Sequence, residues 1–205
     1  MIAIIDYGAG NLRSVARAIG KLGYVHEVTA DPLVVRQANA VILPGVGAAG
    51  DIMRSLLEIA MVDPLREAIE KGRPFLGICL GLQVLLSLSE EGGGEKCLDI
   101  ISGVVRRLPD GLKVPHMGWN QVKQRVSHPV FYGIPDEADF YFVHSYYADP
   151  LDKTVVVGET EYGLTFCSMI ARDKMVAVQF HPEKSGELGL KLLDNFLRWS
   201  GAEKR

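Results

Sequence analysis

Cysteine is scarce in this chain: three residues in 205, none of them in a C-x-x-C pair. Three thiols cannot all pair, so the pattern argues against a disulfide framework or a zinc knuckle and points to a reducing cytoplasm. Charge of one sign is also lacking. Lys plus Arg is 22 and Asp plus Glu is 25, a net charge of −3, which argues against a nucleic-acid partner held by a broad basic surface. No apolar stretch is long enough to span a bilayer, so no membrane partner is expected. The opening Met1–Asp6 has neither a basic n-region nor a small-residue cleavage site, and it reads as a strand rather than a signal peptide. No G-x-x-x-x-G-K-[ST] occurs, and Gly8-Ala9-Gly10 falls short of G-x-G-x-x-G, so a phosphate loop is a poor fit. Repeats, low-complexity tracts and long linkers are absent. Neither a metal nor a cofactor is called for.

Glycine, by contrast, is plentiful, at 22 residues. Much of it stands in short turns after apolar runs, where α/β enzymes place their sites. Apolar residues make up 48% and charged residues 23%, ordinary for a globular chain long enough to bury a core without staples. The first half alternates strand and helix. Met1–Asp6 ends at the turn Tyr7-Gly8-Ala9-Gly10, and Asn11 stands where it can cap a helix. Leu12, Val15, Ala16, Ile19 and Leu22 then share one helical face, and Gly23 fits the stop. His26–Ala30 and Ala40–Leu43 read as strands, the latter ending in Pro44-Gly45-Val46-Gly47. Asp51 is a candidate cap for the next helix. Asp63-Pro64 is expected to open another that Gly72 stops. Phe75–Ile78 reads as a strand, followed by a helix carrying Val84, Leu85 and Leu88. After Gly92-Gly93-Gly94 the pattern changes to strands: Val104–Leu108, Trp119–Lys123, Phe140–Tyr147, Thr154–Glu159, Phe166–Ala171 and Met175–Phe180. Asp173-Lys174 stands at a hairpin turn. A closing helix runs through Leu188, Leu192, Leu193, Phe196, Leu197 and Ser200. The expected architecture is α/β: a doubly wound, mostly parallel sheet with helices on both faces and an appended antiparallel β layer, in one domain over 1–205.

Chemistry concentrates at Gly77-Ile78-Cys79-Leu80-Gly81, a G-x-C-x-G where a buried strand meets a helix. In the serine form of this turn the nucleophile sits on a sharp, strained bend. Small residues two positions to either side let the chain bend without clashes. The bend lifts the sulfur out of the sheet and sets it at a helix N-terminus, where the macrodipole favours thiolate over thiol. The Leu80 amide becomes available to an oxyanion. An isolated cysteine is most often a small core residue; the flanking glycines reverse that preference for Cys79, whereas Cys97 and Cys167 lack the setting. A thiol nucleophile needs a base, and the base an orienter. His181-Pro182-Glu183, at the end of an apolar run, supplies both, since residues i and i+2 of an extended segment project to the same side. Taken alone, the tripeptide is weak and could be a surface turn. Pro44-Gly45-Val46-Gly47 has two glycines able to turn an amide inward beside that of Leu80, although its wording also suits a plain loop.

Together these residues resemble the class I, triad-type glutamine amidotransferases. The family's elbow looks like Gly77-Ile78-Cys79-Leu80-Gly81-Leu82-Gln83, its His/Glu pair like His181-Pro182-Glu183, and its oxyanion loop like Pro44–Gly47. The resemblance runs the whole chain. The blocks Asp6–Asn11, Pro115–Asn120, Tyr141–Tyr146 and Gln179–Ser185 are similar to those of its histidine-biosynthesis branch. The resemblance implies Cys79 as nucleophile, His181 as acid and base, Glu183 as orienter, and the amides of Gly47 and Leu80 as the oxyanion hole. It implies Gly45, Gln83, Ser145 and Tyr146 at the glutamine site. It also implies ammonia delivery to a (β/α)8-barrel cyclase subunit in a heterodimer, where imidazole glycerol phosphate and aminoimidazole carboxamide ribotide are made, with Asn11, Trp119, Tyr141 and Lys184 at the interface. Without the resemblance those four read as a helix cap, a core aromatic, a strand aromatic and a solvated lysine.

Other functions fit parts of the pattern. The elbow is common to amidotransferases serving other acceptors. A partnerless hydrolase of peptides or esters would use the same turn, and would turn over acyl substrates alone. A binding or stress protein with Cys79 as a redox sensor would be indifferent to loss of His181.

Overall fold

A computed structural model describes residues 1–8, 11–202 and 204. Ala9 and Gly10 of the first expected turn lie outside the described residues. The N-terminal half is built of β1 (Ile2–Ile5), α1 (Leu12–Lys21), β2 (His26–Thr29), α2 (Pro32–Gln37), β3 (Ala40–Gly45), α3 (Ala49–Glu58), α4 (Val62–Glu70), β4 (Phe75–Cys79) and α5 (Leu80–Gln83). Then come β5 (Leu86–Ser89), β6 (Glu95–Lys96), β7 (Ile101–Arg107), β8 (His116–Gln124), β9 (Ala138–His144), β10 (Tyr146–Pro150), β11 (Val156–Glu161), β12 (Thr165–Arg172), β13 (Met175–Val178) and α6 (Gly186–Trp199).

The sheet runs in the order β2-β1-β3-β4-β13-β12-β10-β7-β5-β6. From β2 to β13 every neighbour is parallel. Beyond β13 the pairing turns antiparallel through β12, β10 and β7, and only β7–β5 is again parallel. A branch of β11, β8 and β9 leaves from β12. This is the expected doubly wound sheet with an antiparallel appendage. Alternation along β1 explains the two layers of helices. Ile2 and Ile4 join one core cluster with Val15 and Ile19 of α1 and Leu193 and Phe196 of α6. Ala3 and Ile5 join the opposite cluster with Val35 of α2, Ile52 and Leu56 of α3 and Leu65 of α4. A parallel strand buried on both faces must read as a continuous apolar run, and β1, β3, β4 and β13 are buried at every residue.

Several boundaries differ from expectation, each for a local reason. Asp51 is no cap. It lies inside the first turn of α3, paired with Arg54 at 3.2 Å, and the Ala49 amide at the helix start donates instead to Glu91 Oε2 at 2.7 Å. Helix α4 begins at Val62, so Asp63 and Pro64 fall within its first turn. Helix α2 was not anticipated, although Asp31-Pro32 announces it: the Asp31 carboxylate accepts from the Leu33 amide at 2.8 Å and Pro32 takes the first helical position. The helix after Cys79 is a single turn, and Leu88 belongs to a strand. An apolar run of that length suits either state, and the ladder Leu86↔Ile101, Leu88↔Val104 decides for β5. Phe140–Tyr147 is two strands. The chain leaves β8 at His144 and joins β7 from Tyr146, with the Ser145 carbonyl accepting from the Leu108 amide at 2.9 Å. A short 3-10 turn, capped by Asp152, occupies the start of the expected Thr154 strand.

Candidate active site

Cys79 ends β4 and opens α5 with φ 54° and ψ −108°, a strained conformation for a residue with a side chain. Packing holds it there. A Cβ on Gly81 would lie 2.0 Å from the Leu43 carbonyl oxygen, one on Gly77 2.6 Å from the Gly81 oxygen, and one on Gly45 2.6 Å from the Gly81 nitrogen. Bare glycines at all three points let β3, β4 and the elbow close on each other. Leu80 is the first residue of α5, so its amide is one of the first-turn donors that no i−4 carbonyl can satisfy. Cys79 is 7% exposed and lines a cavity of about 270 Å³ with Val46, Gly47, Gln83, His144, Tyr146 and His181.

His181 follows β13, directly beside β4 in the sheet. Its amide donates to the Tyr141 carbonyl at 2.9 Å; Ser185 Oγ donates to its carbonyl at 2.6 Å and accepts from the Tyr141 amide. These ties clamp the segment to β9. The His181 and Glu183 side chains are almost completely buried, with Nδ1 and Oε1 2.8 Å apart. The pairing is made by a 3-10 turn over Pro182–Lys184 rather than by an extended segment. Nε2 is buried and has no hydrogen-bond partner among the described residues. Burial alone would depress the imidazole, but the nearby Cys79 sulfur and the Glu183 carboxylate outweigh it and raise His181 to about 9. The other two thiols have no such company. Burial pushes Cys97 up to about 11, helped by Glu95 and Glu91, and Cys167 up to about 12, which marks both as inert packing residues.

The remaining expected residues gather round this centre. Asn11 occupies the cap position of α1 but makes no side-chain cap bond; its Nδ2 donates to Glu183 Oε1. Lys184 is exposed beside Glu183. Trp119 is 58% exposed, so it is no core aromatic, and it meets the half-buried Tyr141 edge-on at 6.1 Å. Gln83 is buried and turns its amide inward, Nε2 donating to the Tyr146 carbonyl at 2.8 Å. The Ser145 carbonyl is likewise occupied, by Leu108. In the Pro44–Gly47 loop the Val46 amide is bound to the Tyr7 hydroxyl at 3.2 Å, while Gly47 takes φ 101° at the cavity wall. Burial lifts Tyr7 to about 12, so it stays a neutral partner. Tyr7, Glu91 and Gln179 were not singled out from the sequence. Gln179 gave a signal in hindsight, as a polar residue within the apolar run Met175–Phe180.

A buried thiol on a strained elbow, sharing a cavity with an imidazole that a carboxylate orients, fits the class of acyl-transfer enzymes with a thiol nucleophile. A model of the class-I glutamine amidotransferases matches residues 3–199, and the chain belongs to that family. More narrowly, it is 54% identical over 205 residues, covering all of both chains, to the imidazole glycerol phosphate synthase subunit HisH of Dehalococcoides mccartyi (strain CBDB1). To the subunit of the same name from Moorella thermoacetica (strain ATCC 39073 / JCM 9320) it is 56% identical over 195 residues, 95% of this chain and 93% of that one. It is thus a member of the HisH branch. Solved structures share the fold: a glutamine amidotransferase crystal structure with TM-score 0.75 at 20% identity, covering 98% of this chain and all of the other, and PurLQS from Thermotoga maritima with TM-score 0.73 at 18% identity, covering 97% of each.

Proposed function

We propose that the chain hydrolyses glutamine through a glutamyl thioester on Cys79 and passes the ammonia to a cyclase subunit. Cys79 Sγ attacks the carboxamide carbon. The oxygen that gains charge is received by the amides of Leu80 and Gly47. The proton on His181 Nε2 goes to the leaving nitrogen, the C–N bond breaks and ammonia departs. The neutral imidazole then takes a proton from water, whose oxygen attacks the thioester. On collapse the C–S bond breaks, glutamate leaves and the thiolate–imidazolium pair returns. Glu183 stays ionised and holds the ring by Nδ1–H. Gly45, Gln83, Ser145 and Tyr146 bind the amino-acid end. The observation that carries this reading is the buried His181–Glu183 pair, clamped with Nε2 unpartnered among the described residues and His181 lining the same cavity as Cys79.

The acceptor chemistry lies in a partner, a (β/α)8-barrel cyclase in a heterodimer in the cytoplasm, making imidazole glycerol phosphate and aminoimidazole carboxamide ribotide. Among the described residues no helix is long and apolar enough to cross a membrane. Asn11, Trp119, Tyr141 and Lys184 cluster around the His181–Glu183 segment by the contacts above, and Met117, 61% exposed on the same strand as Trp119, extends the apolar part of that face. The test is reconstitution with the cyclase. Cys79→Ala should abolish product formation from glutamine, and added ammonium salt should restore it. Product from glutamine with Cys79→Ala, or none with ammonium, would overturn the proposal.

A further inference from the structure

From Gln83 and His144 in the cavity wall, polar side chains behind it form a hydrogen-bonded chain whose direction is fixed by a backbone carbonyl. The Tyr146 oxygen can only accept. It takes Gln83 Nε2 at 2.8 Å and His144 Nδ1 at 2.8 Å. The Gln83 amide has a second proton, which goes to Gln179 Oε1 at 3.0 Å. With its oxygen so engaged, Gln179 must turn its NH2 to the remaining neighbour, and that neighbour is Cys79 Sγ at 3.6 Å. On the other side of Tyr146 the order is equally determined. A proton on His144 Nδ1 leaves Nε2 of the neutral ring as an acceptor, and His116 Nδ1 donates to it at 2.9 Å. His116 Nε2 accepts in turn from Asn120 Nδ2 at 3.2 Å. Burial holds His144 down at about 3 and His116 at about 4, so both rings stay neutral over the working range. His116 is further fixed by stacking on Tyr162 at 4.0 Å and Phe142 at 5.0 Å. Gln179 itself is fully buried.

We propose that Gln179 is a positioning residue for the nucleophile: its amide N–H donates to the Cys79 sulfur, steadies the thiolate and holds its rotamer toward the cavity, while Gln83 and the Tyr146 carbonyl keep the amide from flipping. This rests on the reading of Cys79 as the nucleophile. An N–H donor beside sulfur favours the charged form; a carboxylate in its place would oppose it. The other titratable groups around the sulfur are Tyr7 after β1, Glu91 at the cavity wall, His144 on β9, and His181 with Glu183 after β13. All are common to parent and variant, so a change on altering Gln179 alone is assignable to it.

The test is the pH profile of Cys79 alkylation by iodoacetamide in the intact chain without glutamine or partner, read by peptide mapping that separates Cys79 from Cys97 and Cys167. Gln179→Leu keeps the volume and removes the donor. Gln179→Glu replaces it by an acceptor. The half-plateau pH should rise by about one unit in Gln179→Leu, roughly tenfold slower labelling on the rising limb, and further in Gln179→Glu. Should the buried carboxylate prevent folding, Gln179→Leu carries the test alone. A folded Gln179→Leu with the parent's profile, even with a lowered melting temperature, overturns the proposal and leaves Gln179 as a packing residue. Glutamine turnover by Cys79→Ser in the reconstituted complex would instead overturn the nucleophile itself, independently of the alkylation result.

Discussion

Gly81→Ala is the substitution with the most direct structural consequence. The added methyl would lie 2.0 Å from the Leu43 oxygen, 1.4 Å short of the 3.4 Å at which ordinary contact begins. The atom it meets is backbone, in the middle of a strand hydrogen-bonded to β1 and β4, so no side-chain tip can swing aside. Overpacking of this kind costs up to about 3 kcal/mol, and for a chain of this length each kcal/mol lowers Tm by about 2–4 °C. A fall of roughly 6–12 °C in calorimetry is expected. Relief of the clash would push β3 outward, and Pro44–Gly47 directly follows Leu43, so Cys79 reactivity should fall in the refolded variant as well. A Tm within about 2 °C of the parent, with undiminished alkylation of Cys79, would refute the claim that the elbow closes through bare backbone contact.

Two further outcomes follow from the charges around the centre. Asn11→Ala removes a donor to Glu183 Oε1; hydrogen bonds to ionised groups are worth about 1.5–3 kcal/mol, so kcat of the complex at saturating partner should fall about tenfold or more with little change in KM for glutamine. An unaltered kcat would remove Asn11 from the orienting set. Because folding raises His181 from 6.5 to about 9, the stability linked to its proton is fully present below 6.5 and is lost as pH rises through 9. The Tm advantage of the parent over Cys79→Ala, which lacks the sulfur that helps raise the ring, should therefore shrink over that interval. A difference that widens with pH would contradict the sign.

Much of this was legible in the sequence because the parallel half of the sheet is buried on both faces. Such strands announce themselves as apolar runs, and the turns that follow them carry the chemistry. The wording singled out Cys79 by the glycines two positions to either side of the thiol, whereas His181 and Glu183 gained their weight from the family resemblance; the structure brings the imidazole and carboxylate into a buried pair and sets His181 and Cys79 on one cavity. What the wording could not give was commitment of side chains to distant partners. Asn11 stands where a cap belongs but serves Glu183, 172 residues away. The capping role expected of Asp51 falls to Glu91, which binds the Ala49 amide 42 residues away. The single-turn α5 and the strand at Leu88 depend on a ladder with Ile101 and Val104 that no local propensity encodes. The hydrogen bonds of Gln179 and of the His116–His144 pair could not be read for the same reason, since each joins side chains far apart in the chain.

The central claim is that the sulfur of Cys79 becomes acylated during glutamine hydrolysis. Acid quenching of the reconstituted complex during turnover, followed by peptide mass analysis, tests it most directly. A glutamyl adduct confined to the peptide containing Cys79, and missing in Cys79→Ser, is the predicted result. Steady ammonia release with no adduct on that peptide, or with the adduct on Cys97 or Cys167, would contradict it.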